Sequence, residues 1–290
     1  MDELKQLVAA ELATPVDTRV SKLAAAIAAK HPGASRAVLF YGSCLREKQL
    51  DGQMLDFYLI VSDYRAAYSR RWLAVANRMI PPNVFHIAQG GLAAKYAVLD
   101  EADFRRLNGP ETRSVSVWAR FAQPSRLVWA ADPRARDMVV EAVARAAPAL
   151  LAAARPAVPA DADPLALWRG AFDLTYSAEL RAERQGRAAS VVDLDPERYL
   201  RFTEPALAAA AALGTGRRSS WARRRLEGKA LSVLRLAKAS ATFAGGVDYI
   251  AWKINRHAGT EIRIKPWQRR WPLLAAITLL PRLLRSGAVR

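Results

Sequence analysis

Residues 54–61 read Met-Leu-Asp-Phe-Tyr-Leu-Ile-Val, eight residues with a single carboxylate among them. A run this short and this apolar belongs to a strand covered on both faces of a sheet. A carboxylate inside it is costly unless it pairs with a cation or holds a metal ion, so Asp56 limits what can surround this strand. Upstream, Ala37-Val38-Leu39-Phe40-Tyr41 is a second short apolar strand, closed by Gly42-Ser43, and Cys44 to Glu47 then opens a helix. Asp56 comes thirteen residues after Ser43. Backbone N–H groups at a strand-to-helix turn face outward, and glycine lets a phosphate approach closely. Two readings are open at this point: an ordinary turn followed by a salt-bridged aspartate, or a phosphate-binding turn beside a metal-binding one.

Further strands are expected at Tyr96–Leu99 and Arg126–Trp129, and helices at Leu4–Leu12, Val20–Ala29 with Thr18 as its cap, and Arg65–Met79 stopped by Pro81-Pro82. Strands alternating with helices over about residues 30–130 predict a mixed unit. Beyond it the pattern is helical, at Met138–Ala153, Leu165–Arg184, Arg198–Ala212, Ser220–Ala244 and Tyr249–Arg256, with a Pro-rich loop at 156–161. The expected class is α+β, with one domain at 1–130, a helical basic domain at 131–265 and an amphipathic segment at 266–290.

Charge sharpens this division. The chain of 290 residues carries 44 basic and 27 acidic side chains, a net of +17, and 35 of the basic ones are arginine. Residues 216–290 hold 17 basic and 3 acidic residues, so most of the excess lies in the last quarter. Such a charge calls for an anionic partner: nucleic acid, a membrane surface or a phosphate substrate. Abundant arginine beside abundant alanine also fits simple compositional bias. The single cysteine, Cys44, excludes a disulfide framework and a cysteine-based zinc site. The polar start Met1-Asp2-Glu3-Leu4-Lys5 does not read as a secretory signal. No run reaches the roughly 18–20 apolar residues of a spanning helix. In the tail, Trp267 and Trp271, flanking arginines, the apolar run Trp271 to Pro281 and then Leu283 and Leu284 describe a segment lying in a headgroup interface, or else a terminal helix packed on the protein. The expected location is cytoplasmic, peripheral on the inner face of the membrane.

A Gly-Ser turn after one strand and an aspartate in the next resembles the opening of nucleotidyltransferases of the polymerase-β type. In those, the turn holds the triphosphate and the carboxylates hold magnesium. The usual second carboxylate, two residues after the first, is Tyr58 here, which leaves Asp51, Asp63 and Glu179 as candidates. A narrower resemblance rests on four blocks in order over about residues 36–205. Phe40-Tyr41-Gly42-Ser43 with Met54-Leu55-Asp56-Phe57 and Asn77, then Lys95-Tyr96-Ala97-Val98, then the segment ending in Gln123-Pro124, then Leu174-Thr175-Tyr176-Ser177-Ala178-Glu179-Leu180-Arg181 resemble the mitochondrial-type phosphatidate cytidylyltransferases, also called translocator assembly and maintenance proteins. The chain departs from that family at Cys44, where a glycine is usual, and at Ala178-Glu179, where Gly-Asp is usual. The family's Trp-His pair before the asparagine is absent, with only Trp72 nearby.

The resemblance implies a nucleotidyltransferase domain, a helical second domain and a membrane-attaching C-terminus. It implies transfer of CMP from CTP to phosphatidate with magnesium, giving CDP-diacylglycerol and pyrophosphate. Gly42 and Ser43 would hold phosphate oxygens, Asp56 would bind magnesium, Lys95 and Arg181 would supply positive charge, and Glu179 would be a second carboxylate. Asn77 and Tyr176 would contact the nucleotide. In the basic last quarter Lys238, Lys253 and Arg256 are candidate contacts to substrate phosphate. Plainer roles stand beside these: Lys95 ending a strand in solvent, Tyr176 packing in a core, Glu179 and Arg181 on a solvated helix face, and Arg120 stacked between Trp118 and Phe121. The expected partners are CTP, a phosphate-bearing lipid and an anionic membrane surface, with no stable nucleic-acid complex. The alternatives are a nucleotidyltransferase acting on RNA or a small molecule, and a non-catalytic membrane adaptor on the same fold.

Overall fold

The computed structural model describes residues 2–180, 191–213 and 220–242. Helices α1 (Asp2–Leu12) and α2 (Thr18–Ala29) lead into strand β1 (Ser35–Tyr41), short helix α3 (Ser43–Glu47) and strand β2 (Met54–Val61). Helices α4 (Tyr64–Ala67) and α5 (Arg71–Met79) precede the hairpin of β3 (Asn83–Gln89) and β4 (Leu92–Asp100). Then come α6 (Glu101–Leu107), α7 (Trp118–Phe121), β5 (Ser125–Ala130), α8 (Pro133–Ala144), α9 (Ala146–Ala154), α10 (Pro164–Ala178), α11 (Pro196–Ala212) and α12 (Trp221–Thr242). The fold is α+β, as expected. Its sheet is mixed, in the order β3-β4-β2-β1-β5, with β2 and β4 parallel and the other neighbours antiparallel.

Several expected boundaries are corrected. Asp17, not Thr18, caps α2 by accepting from the Arg19 amide at 2.7 Å. The helix expected over 65–79 breaks at Tyr68, whose extended backbone sends its ring into the core against His31 and Phe85. The helix expected over 138–153 divides at Arg145. Pro148 falls in the first turn of α9, where a missing N–H costs least. Strand β3 is not among the expected strands, although its signal is in the chain. Gly90 and Gly91 both have positive φ and make a two-residue loop, with Gln89 paired to Leu92, as tight hairpins require.

Strand alternation sorts the core. Leu55, Phe57, Leu59 and Val61 of β2 face one layer, which they share with Val20, Leu23 and Ile27 of α2. Tyr58 and Ile60 face the other, built from α1 and α6 to α11. The expected boundary at residue 130 does not separate two cores, because this second layer runs without interruption from Leu4 through Trp118 and Leu150 to Tyr199. Each fully buried large apolar side chain there contributes about 1.5–3 kcal/mol. The expected elements at 249–256 and 266–290 lie outside the described residues.

One buried ion pair closes the second layer. Arg198 of α11, 3 % exposed, donates to both carboxylate oxygens of Glu11 on α1 and to the Ala122 carbonyl at 3.0 Å. Removing one partner of such a pair strands the other. Glu11→Ala is therefore expected to lower the unfolding free energy by about 3–5 kcal/mol in urea titrations. The double change Glu11→Leu with Arg198→Met is expected to recover most of that loss; no recovery would contradict the role given to the pair.

Candidate active site

A single row of paired residues crosses the sheet: Ser125 on β5, Tyr41 on β1, Asp56 on β2, Lys95 on β4 and His86 on β3. Paired residues point to the same face, here the face covered by the helical layer. One step further along β2, Tyr58 is already buried in that layer, whereas the Asp56 side chain is 20 % exposed. The row thus lies where the helices stop covering the sheet, at the start of β2 and the end of β1.

Lys95 pairs with Asp56, Nζ to Oδ1 at 3.0 Å. The cost of placing a carboxylate in this strand is offset by a neighbour in the next one. Gly42 follows Tyr41 with φ of 95°, in a region side chains avoid. A Cβ at this position would lie 3.0 Å from Asp56 Oδ2. Glycine is needed twice here, for the turn and for the approach of backbone to carboxylate. Ser43 then begins α3, whose Cys44 is buried and donates to the Met54 carbonyl.

Two arginines join from remote segments. Arg120 on α7 pairs with Glu179, Nη1 to Oε1 at 3.6 Å, and also donates to the Ser116 carbonyl. Burial works against its charge, but the acidic groups Glu179, Tyr58, Tyr41 and Asp56 outweigh that and hold its proton above the usual arginine range. Burial likewise pushes Tyr41 well above the ordinary phenol value, and Asp56 and Tyr58 add to this. Tyr58 is raised by burial too, with Arg120 and Arg235 opposing. Arg235 reaches in from α12, donating to the Pro81 carbonyl and to Ser116 Oγ, each at 2.8 Å. Burial lowers its pKa, opposed by Glu179 and Tyr58. Helix α12 comes this close because Gly228 lies against the end of α10, where a Cβ would run into the Ala178 carbonyl oxygen.

Of the expected site residues, Gly42, Ser43, Asp56 and Lys95 come together directly. Glu179, 8 % exposed at the end of α10, joins them through Arg120. Tyr176 is half-buried against the helical layer. Arg181, Lys253 and Arg256 lie outside the described residues. One expectation is corrected. Asn77 is fully buried; its amide donates to the Val98 carbonyl at 2.9 Å and accepts from the Asn83 amide, so it braces α5 against the sheet rather than meeting a nucleotide. Lys238 donates to the carbonyls of Ile80 and Pro82 in the turn after α5, the turn that Arg235 also bonds. Burial, with Arg235 beside it, lowers its pKa to about 7. Two of the three candidate second carboxylates also fall away. Asp51 pairs with Arg19 at 2.7 Å. Asp63 caps α4 beyond the far end of β2, about 23 Å of strand from Asp56 at 3.3 Å per residue.

Arg120 is expected from the sequence only to stack on an aromatic ring, and Arg235 is expected on the same basic helix as the candidate Lys238. The usable signal for both was a basic residue inside an otherwise apolar stretch, the pattern that also singled out Asp56. The chain matches no family model and no curated protein.

Magnesium fits this donor set in a limited way. Among the described residues no group of three or more His, Cys, Asp or Glu could hold a metal ion. Asp56 and the Ser43 hydroxyl offer hard oxygen donors, suited to one protein carboxylate on an ion otherwise held by phosphate oxygens and water.

Replacing Asn77 by alanine removes the acceptor of the Asn83 amide and a donor to the Val98 carbonyl. Asn77→Ala is expected to cost roughly 2–4 kcal/mol of stability by chemical denaturation, with nucleotide affinity of the folded protein unchanged. Weakened nucleotide binding at full stability would restore Asn77 to the site.

Proposed function

We propose that this chain is a nucleotidyltransferase that moves CMP from CTP to the phosphate of a lipid, phosphatidate being the expected acceptor. The observation carrying this reading is the glycine turn pressed against Asp56 while Lys95 brings positive charge to the same carboxylate and the Arg120–Glu179 pair adds a further cation near it. The mixed sheet, with a short helix between two antiparallel strands and the carboxylate on the second, supports a polymerase-β-type arrangement.

The acceptor is a phosphate monoester whose second pKa is near 6, so it is mostly dianionic at neutral pH. No strong base is needed to activate it. Its oxygen attacks the α-phosphorus of CTP; the bond from that phosphorus to the oxygen bridging the β-phosphate breaks, and pyrophosphate leaves with the electron pair. The protein's task is to hold two anions together and offset the charge on the transferring and leaving groups. The Gly42-Ser43 turn binds phosphate oxygens. Lys95 and Arg120 neutralise charge, each held in place by a carboxylate. Arg235 adds a third cation, fixed by Pro81 and Ser116. Magnesium bound at Asp56 would supply further charge neutralisation on the phosphates.

Labelled CTP, magnesium and phosphatidate vesicles test this reading. The purified chain is expected to yield a labelled lipid and release pyrophosphate. Asp56→Asn is expected to lower kcat by about a thousandfold and Arg120→Gln by about a hundredfold, in the range of losing one charge-stabilising group. An Asp56→Asn enzyme as fast as wild type would remove Asp56 from the mechanism. Label appearing in RNA rather than lipid would replace the acceptor.

A further inference from the structure

Helix α5 presents apolar side chains to solvent. Trp72, Val75 and Met79 are 47, 57 and 74 % exposed. At about 100° per residue they fall within about 60° of one another, on a single stripe. The opposite side, Leu73, Ala74 and Asn77, faces the protein, with Ala74 and Asn77 buried. Among the described residues, these three are part of a group of only eight large apolar side chains left exposed, gathered on one helix of nine residues. Scattered single exposures need no explanation, but a contiguous apolar stripe does.

The surroundings of the stripe are predominantly basic. Residues 63–82 contain Arg65, Arg70, Arg71 and Arg78 against one acidic residue, Asp63, which pairs with Arg78 at 3.5 Å. All four arginines are exposed. Arg71 and Arg78 border one edge of the stripe on the helix, and Arg70 precedes its first turn. An apolar protein surface would match the stripe but not this charge. An anionic bilayer matches both, taking the apolar side chains below its headgroups and the guanidinium groups among its phosphates.

The helix is also tied to the site. The turn that ends it is gripped by Arg235 and Lys238 of α12 through the carbonyls of Ile80, Pro81 and Pro82. Arg235 in turn acts on Tyr58 and Glu179. Leu234, next to Arg235 in the chain, is 49 % exposed and adds apolar surface beyond α5.

We propose that α5 is the protein's contact with an anionic lipid surface. Trp72, Val75 and Met79 enter the boundary between headgroups and acyl chains, and Arg70, Arg71 and Arg78 bind lipid phosphates. This rests on the lipid-acceptor reading above and names the surface that brings the acceptor to the site.

The test uses the full chain and vesicles of phosphatidylcholine with or without phosphatidylglycerol, in the absence of CTP. Met79→Cys carries a polarity-sensitive fluorophore, Cys44 being the only native cysteine and buried. Leu200→Cys on α11, also exposed, carries the same dye as a control. The Met79 label is expected to brighten and shift blue on anionic vesicles alone, with the Leu200 label unchanged. The triple change Trp72→Ser, Val75→Ser, Met79→Ser is expected to weaken vesicle partitioning by about tenfold or more, and Arg70→Gln, Arg71→Gln, Arg78→Gln together to remove the preference for anionic lipid. Circular dichroism confirms that both variants are folded. The proposal is overturned if the chain sediments with vesicles while the Met79 label still reports water. It is overturned equally if the serine variant partitions as wild type, or if the serine changes dissociate a dimer in vesicle-free buffer without altering lipid binding. Vesicle docking through α5 without CMP transfer would sink the transferase reading alone; transfer to a dispersed short-chain acceptor without docking would sink this one alone.

Discussion

The pairing of Asp56 with Lys95 is possible because of where β2 leaves the core. A strand covered on both faces tolerates no lone carboxylate. Tyr58 and Ile60 are covered by the helical layer, and the same face is partly open at Asp56. Two residues further into the strand the aspartate would be buried as deeply as Tyr58. Two residues earlier it would lose Tyr41 as its cross-strand neighbour and Gly42 as the backbone pressed against it. Site and sheet therefore share one register. A slip of one residue would turn Asp56 to the α2 side and remove it from Lys95, Tyr41 and Arg120 together.

The helical layer both supports the sheet and supplies charge. Glu179 stands just past the end of α10, Arg120 on a single-turn helix, and Arg235 midway along α12. These positions depend on small-residue contacts and backbone bonds rather than on the arginines. Gly228 sets the approach of α12 to α10, and Ser232 Oγ accepts from the Leu180 amide at 3.3 Å. With this scaffold in place, the cations sit among acidic and phenolic groups that keep them from being isolated charges in a low-dielectric setting.

Much of the sheet could be read from the chain. Strand β2 matches the apolar run of 54–61 residue for residue, and β1 is recovered with a small extension at its start. Local pattern identified Gly42, Ser43 and Asp56 because turn and strand both act over a few residues. It failed where tertiary packing decides. Asn77 looks like any polar residue on an exposed helix, and only the arrival of β3 and β4 makes it a buried brace. Arg120 and Glu179 are 59 positions apart, and nothing short-range ties them. Tyr68 ends a helix that its neighbours would have continued, because its ring finds His31 and Phe85.

In the proposed function the Gly42–Asp56–Lys95 junction would bind a metal–nucleotide complex. Manganese in place of magnesium allows a direct measurement by electron paramagnetic resonance, with a non-hydrolysable CTP analogue and no lipid present. The manganese–nucleotide signal is expected to broaden on adding the wild-type chain and to stay that of the free complex with Asp56→Asn. A broadened signal of equal affinity with Asp56→Asn, or none with the wild-type chain at saturating nucleotide, would contradict the account.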